Sequence, residues 1–280
     1  DLHFFYQQVN ININMNSEKI PFNFVFVPNK KSKVLEDKKI KEYLMKWSLT
    51  GNLRIQQYSF NQAFNIHQKD TFAKAFFKDP AVYTTLIGCL ASGKWMPIGI
   101  AASDVDVEIV PCTLTSLTFF DRLLNTDNGI VRSNGHIIEC LEDEDICEIH
   151  VTDQLRNMLL NRESKYYNLY SESERKQFLF RIFQHLCFGG QWCQYEYTID
   201  PYIDITKAIY KDLLSVERVS ESNEMIIRSV VIKVKTTDEK GNCLLPSKED
   251  SPQNFLYLII DPFKRSVATF TSELSGVLFT

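Results

Sequence analysis

The chain has 280 residues, of which 44% are hydrophobic, with 20 Phe and 12 Tyr. That is enough apolar material to offset the conformational entropy of folding, which excludes long-range disorder and allows one large domain or two intimate lobes. The net charge is −4 and the lysines are spread along the chain, the wrong pattern for tracking nucleic-acid phosphates. No apolar run approaches the roughly 20 residues that a helical bilayer span needs, so neither nucleic acid nor membrane is an expected partner.

Residues 1–20 are rich in Asn, Gln and Ile and read as a tail or an added edge element. They lack a basic start followed by an apolar run, so no signal peptide is expected. Phe22, Phe24 and Phe26 then alternate with Asn23 and Val25 between Pro21 and Pro28, the period of a strand bounded by residues that cannot donate to a ladder. Ile40, Tyr43, Leu44 and Trp47 follow at helical spacing, with Gly51 beyond the last turn. Residues 53–60 read as a strand, and Asp70 as the cap of a short helix that carries Phe72, Phe76 and Phe77 and ends near Asp79-Pro80.

Further on, residues 105–110 alternate as a strand and 114–124 read as a helix, whereas 140–147 read as an acidic loop. Thr152 or Asp153 is expected to open a helix through Leu155, Leu159 and Leu160. Ser171 and Glu174 make a capping box before the stripe Leu179, Ile182, Phe183 and Leu186, which stops at Gly189-Gly190. A second helix starts at Asp200-Pro201, with the acid as cap, and turns Tyr202, Ile205, Ile209 and Leu213 inward. Ile226, Val230, Ile232 and Val234, residues 255–260, the turn Asp261-Pro262-Phe263-Lys264 and the alternation after Val267 form an antiparallel C-terminal meander. The predicted fold class is therefore α+β, a mixed or antiparallel sheet with packed helices. Residues 21–280 are read as one domain, with two lobes meeting near Asp145 as the alternative.

Seven cysteines, an odd number and several among apolar neighbours, fit free thiols in a reducing compartment. Gly88-Cys-Leu-Ala-Ser-Gly93-Lys94 has the glycine and lysine spacing of a phosphate loop, but Trp95 stands where a hydroxyl should meet Mg²⁺ and Pro97 where a helix should start. A turn between strands is the preferred reading. Cys140, Cys147 and His150 lack the close Cys-x2-4-Cys pair of most zinc sites. Asp104, Asp106 and Glu108 read as the solvent face of a strand rather than a Mg²⁺ site. His185 and Cys187, two apart on a helix, do not share a face; the histidine is expected to favour the negative end of its helix instead. No catalytic, cofactor or metal residues are assigned.

Aromatics beside polar residues are the better candidates, because such side chains anchor interfaces. Phe76 and Phe77 before Lys78, and Tyr195, Tyr197 and Tyr202 around the bridge between the two sharpest helices, fit that description. The candidate partner-binding residues are Phe76, Phe77, Lys78, Tyr195, Lys207 and Lys211. Replacing both Lys207 and Lys211 by Glu is expected to weaken partner capture without unfolding the chain.

The string His185-Leu-Cys-Phe-Gly-Gly190, then Cys193-Gln-Tyr-Glu196, Ile199, Pro201-Tyr202 and Thr206-Lys-Ala-Ile-Tyr-Lys-Asp-Leu213, resembles the cilia- and flagella-associated protein 300 family. Phe76-Phe-Lys-Asp-Pro80, Val110-Pro-Cys-Thr113, Phe119-Phe120 and Gly135-His-Ile137 agree with it, and the likeness runs from about Trp47 to Pro262. It fades in the N-terminal tail, around Asp143 and at residues 235–254.

The resemblance implies a non-catalytic adaptor in cytoplasmic preassembly and ciliary delivery of outer and inner axonemal dynein arms. The implied partners are dynein-arm subunits, a kintoun-type preassembly factor and the intraflagellar transport machinery, and the implied locations are cytoplasm and cilium. A stably bound structural subunit of the axoneme is the alternative. A phosphate- or metal-dependent enzyme using Lys94, Asp104 or Asp106 ranks third.

Overall fold

A computed structural model of the chain describes residues 21–89, 93–219, 224–246 and 251–274; the reading of residues 1–20 as a tail lies outside them. The chain enters a sheet at β1 (Phe24–Phe26). Ser32 and Asp37 then cap α1 (Lys33–Glu36) and α2 (Lys38–Lys46), each side-chain oxygen accepting an N–H three residues on, at 3.1 and 3.0 Å. After β2 (Leu53–Phe60), α3 (Lys69–Lys78) and α4 (Pro80–Tyr83) break at Asp79-Pro80, as the proline requires. Asp70 is not the cap of α3. Asn65 and Gln68 form a capping box one turn earlier, so Asp70 falls inside the first helical turn.

The hairpin β3 (Ile87–Cys89) and β4 (Trp95–Pro97) precedes β5 (Asp104–Val110). The helix expected over 114–124 shrinks to a 3-10 turn and the single turn α5 (Asp121–Leu124), because Ser116 Oγ takes the Thr118 N–H locally and competes with the helix. The expected acidic loop at 140–147 is instead β6 (Glu139–Ile146), paired with β7 (Ile149–Asp153). Cys147 and Glu148 join them with φ of 51° and 65°, the left-handed pair that a two-residue hairpin turn demands.

Asp153 caps α6 (Gln154–Leu160). The Ser171 capping box opens the single turn α7 (Glu172–Arg175), and α8 (Phe178–Phe188) starts afresh, its first N–H held by the Pro111 carbonyl at 2.8 Å. In α9 (Asp200–Leu213) Asp200 is the first helical residue rather than the cap, with Ile199 before it. β8 (Val216–Arg218) and β9 (Met225–Ile227) form a hairpin, followed by β10 (Val230–Thr237), β11 (Cys243–Leu245), β12 (Phe255–Asp261) and β13 (Ser266–Ser272).

The main sheet runs β1-β2-β13-β12-β10-β11, with β5 also paired to β10, and every pairing is antiparallel. The fold is thus α+β, and β10, β12 and β13 form the expected meander, whose last turn Asp261 closes by accepting the N–H groups of Phe263 and Lys264. Strand alternation divides the core in two. Val110, Val231, Phe255, Tyr257, Ile259 and Phe270 face a layer built from α2, α6, α8 and α9, whereas Tyr58, Val105, Ile232, Leu258, Ile260 and Val267 face α3 and α4. Both faces are covered, so every residue of β12 is buried. That explains the uninterrupted apolar run in its sequence.

Phe76 and Phe77 belong to the second of these cores and cannot anchor a partner. Phe76 meets Phe24, Tyr58 and Phe77 edge-on at 5.0, 5.2 and 5.1 Å, and neither ring is exposed. Their helix lies flat on the sheet with 72, 73, 76 and 77 inward, so that of the three candidates it carries only Lys78, at its end, is exposed.

Candidate partner-binding face

The segment between α8 and α9 has little regular structure, so its shape rests on side chains and borrowed backbone bonds. Gly189, at φ 63°, ends α8; a Cβ there would strike Cys193 and the Trp47 carbonyl, and one at Gly190 would strike the Ser48 carbonyl. Both glycines are therefore demanded by close backbone approach. Gly190 and Gln194 donate to the carbonyls of Trp47 and Lys46 at 2.8 and 2.9 Å, and the Tyr197 carbonyl accepts from Ile137 at 2.8 Å. The bridge is stitched to the end of α2 on one side and to residues 135–137 on the other.

Beneath it lies Arg156, on the inward side of α6 and without exposed surface. Its guanidinium pairs with Asp153, donates to Tyr202 Oη at 2.6 Å and lies 3.3 Å from the centre of the Tyr195 ring. Asp153 and the surrounding rings outweigh the burial that alone would favour deprotonation, so the group stays cationic. Tyr202 in turn stacks on Trp47 at 4.6 Å and accepts the Glu196 N–H at 3.0 Å. Glu196 closes the ring of contacts, accepting from Trp47 Nε1 at 3.1 Å and from Lys46 Nζ at 2.8 Å.

What this framework presents to solvent is aromatic. Trp192 is 62% exposed and Tyr197 76%, on either side of the half-buried Tyr195, whose hydroxyl donates to the His150 carbonyl of β7 at 3.3 Å. Exposed aromatics on a rigid support lose little entropy on binding, which is why they serve as interface anchors.

The structure brings one of the six sequence candidates, Tyr195, into this face. Lys207 and Lys211 lie one turn apart on α9, half-buried and exposed respectively, and take no part in the network around Arg156. Trp192, Arg156 and Glu196 were not singled out from sequence. The available signals were a Trp in the polar stretch after a Gly-Gly stop, and an Arg on the apolar side of the 155–160 helix.

The remaining candidates sort by geometry. Gly88 to Lys94 joins two antiparallel strands, not a strand to a helix, and residues 90–92 lie outside the description. Asp104 and Glu108 are exposed and pair with Lys74 and Arg181, each carboxyl held below its ordinary range chiefly by that partner. His150 faces Asp145 and Asp143, and among the described residues no group of three His, Cys, Asp or Glu is placed to hold a metal ion. Among the described residues the seven cysteines form no disulfide; burial raises the Cys193 thiol to about 12 and pushes Cys187 well above its usual value.

His185 does not serve the end of its helix as a cation. Its nitrogens meet the Pro252 carbonyl and Tyr257 Oη at 3.2 and 2.9 Å, and its ring stacks on Phe255 at 3.9 Å. Burial, then the charges of Lys233 and Arg181, lower its pKa to about 3.

A family model described as cilia- and flagella-associated protein 300 matches residues 21–272, which contain the whole face and every strand of the main sheet. The chain belongs to the cilia- and flagella-associated protein 300 family. The match extends beyond the 47–262 span that the motifs marked. The Chlamydomonas reinhardtii cilia- and flagella-associated protein 300 is 32% identical over 87% of this chain and 95% of its own length. That of Paramecium tetraurelia is 30% identical over 84% and 87%. No solved structure matches the chain. Membership of the cilia- and flagella-associated protein 300 family gives the chain a role associated with cilia or flagella.

Proposed function

We propose that this chain is a non-catalytic adaptor that holds components of outer and inner dynein arms during cytoplasmic preassembly and delivers them to the cilium, with a preassembly factor of the kintoun type and intraflagellar transport as partners. Family membership supports the ciliary setting. The observation that carries the binding role is the bridge itself: a buried ion pair, a Trp–Tyr stack and a carboxylate shared by Trp47 and Lys46 hold a loop that offers Trp192 and Tyr197 to solvent.

The adaptor reading is tested by affinity capture from ciliated cells, together with stepwise salt extraction of isolated axonemes. Recovery of dynein-arm chains or their assembly factors, with the protein substoichiometric to tubulin and partly cytosolic, is the expected result. Capture of unrelated proteins alone would overturn the reading. Retention on the axoneme through high salt, at a fixed ratio to tubulin, would favour a structural subunit.

A further inference from the structure

The hairpin of β6 and β7 carries six exposed acids: Glu139, Glu142, Asp143, Glu144, Asp145 and Glu148. No Lys or Arg occurs between Arg132 and Arg156, so this ribbon holds more negative charge than the whole chain's net of −4. Among the described ion pairs only His150 answers these acids, through Asp143 and Asp145. Exposed like charges on neighbouring strand positions repel one another. A ribbon built this way is therefore stabilised by a cationic partner.

Shape adds a second, independent constraint. Beside the hairpin, against α6, lies a groove of about 320 Å³ whose lining combines Leu141, Val151, Glu142, Glu144 and Asn157, with Lys165 among the lining residues. Leu141 is fully exposed. An apolar wall with carboxylates alongside suits the long side chains of lysine and arginine, which lay methylenes on apolar surface while the charged head meets a carboxylate. The aromatic bridge joins this groove's hairpin through Tyr195 Oη and the His150 carbonyl. Its exposed Trp192 and Tyr197 offer ring faces on which a guanidinium stacks.

Resting on the adaptor reading of the same face, we propose that the hairpin and the bridge together bind a lysine- and arginine-rich segment of a partner protein. Basic side chains occupy the groove beside Glu142 and Glu144, and arginines cover Trp192 and Tyr197. An acidic segment is repelled. Charge gives the encounter its speed and selectivity, and the aromatic rings give it residence.

The test uses the full chain and fluorescence anisotropy with three labelled peptides of equal length, alternating Leu with Arg, with Ser or with Glu. The Arg peptide should bind, and its affinity should fall about tenfold between roughly 50 and 300 mM salt as the charges are screened. Glu142→Gln with Glu144→Gln, and separately Asp143→Asn with Asp145→Asn, should each weaken it about tenfold at a melting temperature that does not fall, and Trp192→Ala with Tyr197→Ala should weaken it as much. Equal binding of the Glu peptide, or Arg-peptide binding indifferent to salt and to both neutralised variants, overturns the proposal.

Capture from ciliated cells separates the charge proposal from the adaptor reading. If the neutralised hairpin retains ciliary partners that the aromatic variant loses, the charge proposal falls and the adaptor stands. If the peptides behave as expected and the wild-type chain captures no ciliary protein, the adaptor reading falls instead.

Discussion

Arg156, with no exposed surface, sets its guanidinium 3.3 Å from the centre of the Tyr195 ring while pairing with Asp153 beneath it. A single buried cation thus joins the cap of α6 to the underside of the exposed bridge. Removing one partner of a buried pair leaves the other charge uncompensated, so Arg156→Ala should destabilise the fold by about 3–5 kcal/mol. Arg156→Lys should recover only part of it, because an ammonium cannot keep the planar stack and the paired donors together. Urea unfolding of the three proteins checks both statements.

The bridge also depends on backbone approach. Gly190→Ala drives a methyl into the Ser48 carbonyl, an atom that cannot swing aside. A loss of about 1–3 kcal/mol is expected, with a change in Trp192 fluorescence that a surface control such as Lys78→Ala does not show.

Phe76→Ala and Phe77→Ala should each cost about 3–5 kcal/mol, as for large aromatic truncations in a core. Lys78→Glu should leave the unfolding midpoint nearly unchanged. Chemical denaturation distinguishes this outcome from an interface role, in which the Phe variants would stay stable and lose only partner capture.

His185 predicts a pH dependence with a definite sign. The Pro252 carbonyl can only accept, so Nδ1 carries the proton and Nε2 accepts from Tyr257. An unfolded histidine takes its second proton near pH 6.5, and this one waits until about 3. Between those values the unfolded chain binds more protons, so the contribution is fully present above pH 6.5 and is lost as pH falls toward 3. His185→Gln should flatten the stability profile between about pH 6.5 and 5, above the range where most carboxylates titrate.

Much of the fold was legible because it follows local rules. Phe24 and Phe26, residues 53–60, the Asp153 cap, the Gly189-Gly190 stop and the meander from Val230 onward are written in period and punctuation. The failures share a cause, which is tertiary context. The acidic run at 139–146 has poor strand propensity and became a strand through pairing with β7 across a Cys147-Glu148 turn that no turn signature marks. Phe76 and Phe77 look the same in sequence whether they meet solvent or Tyr58 and Phe24. The site was half legible: Tyr195 and the bridge were visible, whereas Arg156 was hidden because a buried arginine is recognised only by its partners.

On the adaptor reading proposed above, the aromatic bridge is where this chain holds its partners. Affinity capture from ciliated-cell extract, comparing the wild-type chain with Trp192→Ala/Tyr197→Ala and quantifying dynein-arm chains and assembly factors, tests it directly. Recovery should fall about tenfold or more for the double variant at an unchanged melting temperature; equal recovery by the two proteins would show that the bridge is not the binding face.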